Sequence, residues 1–260
     1  MSCQYLERPG KPSLAYHYTP PNDTGSDLPV IMFLGGFKSD MQGSKATFLE
    51  EQCKARGQGY VRFDYSGHGQ SGGEFAHGTI GAWKQDAMDM FEHIDPHSCL
   101  IIGSSMGGWL ALHLAIEYRA RIKAMIGIAA APDFTQDLWY NRLNDQQRQI
   151  VEKEGYVEMP NQYSEEPYIF TKALFEDGRA HFLMDKDQSL DIPITLLQGM
   201  ADPDVPWETT TRIQNAFPRA DVDIVLIEDG DHSLSRPEDL DVLNREIMAL
   251  IGRNETDNSL

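Results

Sequence analysis

Gly103-Ser104-Ser105-Met106-Gly107 stands between a short apolar run, Leu100–Ile102, and a longer apolar stretch that begins at Met106. A G-x-S-x-G pattern in that context turns a strand sharply into a helix and leaves its central serine exposed above the sheet, where the hydroxyl can attack an acyl carbon. Ser105 is therefore the candidate nucleophile; Ser104 lacks the flanking glycines. A serine hydroxyl needs a base, and the base needs a carboxylate that fixes its tautomer and stabilises the imidazolium of turnover. The order along the chain should be serine, acid, histidine. Asp202, in Gly199-Met200-Ala201-Asp202-Pro203-Asp204-Val205-Pro206, and His232, in Glu228-Asp229-Gly230-Asp231-His232, satisfy it, each just beyond an apolar run. In α/β folds that position is the carboxyl end of a strand, where sites gather. Asp204 is the rival acid, with a helix cap near Pro206 as its alternative role. Asp231 adjoins His232 too closely to clamp its ring and reads as a turn residue. Two N–H donors must meet the developing oxyanion. Met106, after the serine, and Phe37, in Gly35-Gly36-Phe37, are the candidates, against the plainer reading of Gly35-Gly36 as a turn.

The other histidines lack this context. His17, His93, His97, His113 and His181 read as surface or packing residues, and His113 lies too far along the expected helix to reach Ser105. His68 sits in the turn-rich segment Phe63–Ser71, which lacks the GxGxxG spacing and following helix of a dinucleotide site, so its expected role is structural. Cys3, Cys53 and Cys99 are odd in number and widely spaced, forming neither a disulfide framework nor a CxxC metal pattern. No cofactor and no metal is expected, and a reducing compartment fits best.

These groups need a scaffold. Val30–Leu34, Tyr60–Phe63, Leu100–Ile102, Ala124–Ile128, Ile194–Leu197 and Asp223–Ile227 are short, mostly apolar runs of the kind that form strands covered on both faces. Between them Lys45–Arg56, Ile80–Ile94, Met106–Tyr118, Glu208–Phe217 and Pro237–Ile251 have helical spacing. The alternation predicts an α/β fold with a mostly parallel central sheet flanked by helices and right-handed crossovers. Tyr5–Tyr18, interrupted by Gly10 and Pro12, fits an antiparallel hairpin at one edge. Asp133–Asp191 separates two strands by far more than an ordinary connection and reads as an inserted lid, with helical character over Leu143–Val151. Its aromatics, among them Phe134, Trp139, Tyr163, Tyr168 and Phe170, are expected chiefly to pack the insertion onto the main domain. The expected organisation is a core of residues 1–132 and 192–253, a lid at 133–191 and a disordered tail at 254–260.

The chain has 260 residues, 41% of them hydrophobic, enough for one large core. Forty acidic residues against 22 basic ones give a formal charge of −18, which repels phosphate backbones and argues against nucleic acid as a partner. The longest apolar stretch, Leu100–Ile116, is broken by Gly-rich residues and falls short of the roughly 20 residues of a membrane span. The N-terminus has neither signal-peptide nor transit-peptide character, so a cytoplasmic location is expected.

Phe63–Gly73 (FDYSGHGQSGG), Thr79–Trp83 (TIGAW), Gly103–His113 (GSSMGGWLALH), Met159–Glu166 (MPNQYSEE) and Gly199–Trp207 (GMADPDVPW) together resemble the α/β-hydrolase-domain subgroup that includes the mitochondrial palmitoyl-protein thioesterase. The similarity runs from about Val30 to Ile251. The resemblance implies the α/β-hydrolase fold, places the catalytic triad on Ser105, Asp202 and His232, and implies hydrolysis of acyl thioesters or esters, with S-acylated proteins among the substrates. The acidic charge and the lack of a presequence set this chain apart from the mitochondrial member and point to a bacterial relative. Alternatives within enzymes are a carbon–carbon bond hydrolase or a peroxidase on the same fold; outside them, a binding protein that has lost turnover.

Overall fold

The computed structural model describes residues 2–161 and 166–257. Residues 162–165, which include Tyr163 and half of the Met159–Glu166 motif, lie outside the described residues. In chain order the strands are β1 (Gln4–Leu6), β2 (Leu14–Thr19), β3 (Val30–Leu34), β4 (Tyr60–Phe63), β5 (Cys99–Ser104), β6 (Ile122–Ile128), β7 (Tyr156–Met159), β8 (Tyr168–Thr171), β9 (Pro193–Gly199) and β10 (Asp221–Ile227). The helices are α1 (Ser44–Arg56), α2 (Ile80–Ile94), α3 (Met106–Glu117), α4 (Phe134–Asp137), α5 (Asp145–Glu154), α6 (Lys172–Arg179), α7 (Thr209–Ala216) and α8 (Pro237–Asp257).

Eight strands form one sheet in the order β1-β2-β4-β3-β5-β6-β9-β10. The β1–β2 hairpin and the β2–β4 pair are antiparallel, and the other neighbours are parallel. Strand alternation sends Met32 and Leu34 into one core and Ile31 and Phe33 into the other, so β3 is apolar throughout. Trp83 and Phe91 of α2 and Trp109 of α3 cover the first face; Leu49 of α1 and Leu243 and Ile247 of α8 cover the second. Both ends of α2 follow local rules. Thr79 accepts the Ala82 N–H at its start, and Asp95 closes it in the left-handed region.

Residues between β6 and β9 form α4, a π-helical turn over Leu138–Arg142, α5, the antiparallel β7–β8 pair and α6. The helix expected over Leu143–Val151 lies at Asp145–Glu154 instead. Asn144 and Gln147 make a capping box that sets its start, and Gly155, at φ 86°, stops it. Asp133, fully buried at the entrance to this segment, accepts N–H bonds from Leu183 at 2.9 Å and Met184 at 2.8 Å, which clips the segment's two ends together. The tail also differs from expectation. Arg253 pairs with Asp221 and Asp223 of β10, and α8 continues past Asn254 to Asp257; residues 258–260 lie outside the described residues.

Buried titratable groups make stability depend on pH. Burial pushes the imidazoles of His68 and His113 down to about 4 from 6.5. Because both are depressed, the stability linked to them is present above pH 6.5 and lost as pH falls towards 4. Burial also raises the Asp133 carboxyl to about 6 from 3.8, which has the opposite sign. Between about pH 4 and 6 the unfolded chain binds more protons than the folded one at the two histidines and fewer at Asp133, so acidification should cost stability on the order of 1 kcal/mol per pH unit. Urea unfolding at pH 6.0 and 4.5 reads this directly: a fall of about 2 kcal/mol is expected, and an unchanged free energy contradicts the assignment.

Candidate active site

The end of β5 turns into α3 at Ser105, whose φ of 54° and ψ of −120° are unusual for a residue with a side chain. Its neighbours make this possible. A Cβ on Gly103 would lie 2.2 Å from the Gly107 carbonyl oxygen, and one on Gly107 would lie 2.2 Å from the Leu34 carbonyl oxygen, so only glycine lets the strand, the turn and the helix close up. The backbone is pinned by the Ser105 N–H donating to Ile128 O at 2.9 Å and the Ala131 N–H donating to Ser105 O at 3.1 Å.

His232 arrives on the loop after β10 and Asp202 on the loop after β9. His232 Nε2 lies 3.1 Å from Ser105 Oγ, and its Nδ1 lies 2.8 Å from Asp202 Oδ2. With the proton on Nδ1 donated to the carboxylate, Nε2 is left to accept the serine hydroxyl. Asp202 Oδ1 accepts the amides of Asp204 at 2.8 Å and Val205 at 2.9 Å. Burial raises the Asp202 pKa, but the His232 hydrogen bond and these amides outweigh it, and the carboxyl ends below its ordinary value. Asp204 is held otherwise: its carboxylate accepts from Arg142 Nη1 at 3.3 Å, and α7 begins only at Thr209, so it does not cap that helix. Asp231 accepts the Leu234 N–H at 2.9 Å, within the His232 loop.

The Gly35–Phe37 loop lies against the serine, where a Cβ on Gly36 would be 3.4 Å from Ser105 Cβ. Met106 opens α3, so its N–H has no carbonyl one turn earlier in that helix to receive it. Phe37, Met106, Ser105 and His232 line one cavity of about 900 Å³. Leu138, Met159, Tyr168 and Phe170 of the inserted segment supply much of its apolar wall, so these aromatics both pack and face the cavity.

Sequence reasoning gave His68 a structural role but missed what it and the other supports hold. His68, expected to be structural, accepts the Lys38 N–H at Nε2 (3.2 Å) and is boxed in by Tyr65, Phe75 and Trp83, placing it under the loop that carries Phe37. Lys45 donates to Ser233 O beside His232, and Arg142 donates to Pro203 O at 3.0 Å beside Asp202. Gln198 donates to Asp202 Oδ2 at 2.9 Å. No local pattern marks these contacts. Most join residues remote in sequence, and the short-range exception, Gln198, resembles any polar residue at the end of a strand.

A mostly parallel sheet carrying a serine on a strand–helix turn, with a histidine and a carboxylate on later strand ends, defines an α/β hydrolase. The sequence model of the family described as serine aminopeptidase, S33, matches residues 29–160. The mitochondrial palmitoyl-protein thioesterase ABHD10 of Homo sapiens is 35% identical over 256 residues, covering 98% of this chain and 82% of that protein. Among solved structures, a putative hydrolase from Agrobacterium vitis S4 superposes with a TM-score of 0.90 at 41% identity, covering 96% of this chain and 98% of that one. Alpha/beta hydrolase domain-containing protein 10 from mouse does so with a TM-score of 0.87 at 33% identity, covering 97% and 99%. The chain belongs to the α/β-hydrolase family. No described helix is long and apolar enough to cross a membrane.

Proposed function

We propose that this protein hydrolyses carboxylic thioesters and esters through an acyl-enzyme on Ser105. The observation that carries the reading is the continuous path from Asp202 through His232 to Ser105, at 2.8 and 3.1 Å, opening into the cavity. Ser105 Oγ forms a bond to the acyl carbon as His232 Nε2 takes its proton; the carbonyl electrons move to oxygen, where the Phe37 and Met106 amides receive the charge. Collapse breaks the bond to the leaving sulfur or oxygen, which departs with the proton from His232. Water then repeats the sequence and frees the acid. The inserted segment acts as a lid whose apolar wall takes the acyl chain. The names of the curated relatives support a thioester and an S-acylated protein as substrate. Three unpaired cysteines, two of them buried, suit a reducing compartment such as a bacterial cytoplasm.

The test is a chain-length series of acyl thioesters and matched p-nitrophenyl esters. Each methylene taken into the apolar wall should raise kcat/KM about three- to fourfold until the wall is filled. Rates independent of chain length would remove the acyl group from this cavity. Failure of Ser105 to react with a fluorophosphonate would return the protein to the binding-module reading.

A further inference from the structure

Gln198 stands one residue from the end of β9, 1% exposed. Its Nε2 has three oxygens within reach: Asp202 Oδ2 at 2.9 Å, Val205 O at 3.1 Å and Gly199 O at 3.2 Å. Turning the amide over would set its oxygen against all three, so the nitrogen must face them. The other end is poorly served, since Oε1 is buried and finds no partner among the described residues. A buried amide that satisfies only its nitrogen owes its place to the donor.

That donor completes a set. Asp202 Oδ1 accepts two backbone amides, and Oδ2 accepts His232 and Gln198, so both oxygens are doubly occupied. We propose that Gln198 is a positioning residue for Asp202, its N–H fixing the plane of the carboxylate so that Oδ2 meets His232, and withdrawing charge from that same oxygen. The proposal rests on the reading of Asp202 as the catalytic acid. Through Val205 O the same amide ties the acid to the far side of its own turn. The charged groups around the pair are His232 on the β10–α8 loop, Asp204 on the Asp202 loop, and Arg142 from the inserted segment.

Gln198→Met keeps the length of the side chain and removes the donor. Losing a hydrogen bond to a charged group converts to about a ten- to hundredfold fall in kcat. KM should stay within about twofold, because Gln198 touches no substrate. Rates are counted per fluorophosphonate-titrated site, which removes misfolded protein from the comparison, and Gln198→Glu, which replaces the donor by a second carboxyl, should lose at least as much. Unchanged kcat per titrated site in Gln198→Met, or a loss carried by KM instead of kcat, would overturn the proposal. The double variant with Asp202→Asn separates it from the parent reading: Gln198→Met should add less than about threefold there if it acts through Asp202. A full additional loss on that background overturns the proposal, while an active Asp202→Asn single variant overturns the parent reading instead.

Discussion

Ser105→Ala should abolish hydrolysis, with kcat falling by about four orders of magnitude or more. The substitution removes one oxygen and keeps Cβ, so the turn at φ 54°, held by the glycines at 103 and 107 and by hydrogen bonds to Ile128 and Ala131, is retained. Substrate binding should therefore survive while the covalent step is lost, because the hydroxyl that faces His232 Nε2 at 3.1 Å is the group removed. Under the proposed mechanism, whatever rate remains above the uncatalysed one comes from the amides proposed as the oxyanion hole, those of Phe37 and Met106, and from binding alone. Steady-state kinetics on a thioester, paired with mass spectrometry of the fluorophosphonate adduct, checks both halves. Activity above about 1% of the parent, or label carried by any other residue, would remove Ser105 from its role.

Asp202→Asn should cost nearly as much, about 10⁴-fold in kcat, with little change in overall structure. An asparagine amide placed where Oδ2 now sits donates to His232 Nδ1 rather than accepting from it. The ring proton is then driven to Nε2, which faces Ser105 Oγ as a donor and can no longer take its proton. Asp204→Asn is the matched comparison. Its carboxylate meets Arg142, and its contribution to Asp202 is a backbone amide that the substitution keeps, so the loss should stay within about tenfold. The reverse ranking would transfer the acid to Asp204.

Much of the frame was legible along the chain. β3, β4 and α2 occupy the stretches their apolar runs and helical spacing predicted, because strands buried on both faces have few polar positions and Thr79 caps its helix locally. The departures have causes that the apolar pattern did not register, one local and one not. The Asn144–Gln147 box moves α5 along the chain, and the Arg253 pairs with β10 carry α8 beyond Asn254. The supports of the site were not legible. His68 resembles any histidine in a glycine-rich turn until the Lys38 amide is seen resting on it, and Lys45 shows nothing on α1 of the His232 loop it holds.

By itself the sequence determined the conformational choices made within a few residues: which runs extend, which coil, and where the chain must turn so tightly that Gly103 and Gly107 admit no side chain. It also determined the chemical types available at three strand ends. The tertiary structure alone decided that those ends meet. Ser105 and His232 are 127 residues apart and His232 and Asp202 are 30 apart, and no local preference reaches that far. Parallel pairing of β5, β6, β9 and β10 brings their carboxyl ends to one edge, and burial there gives the Asp202–His232 contact its strength by excluding the water that would compete for it.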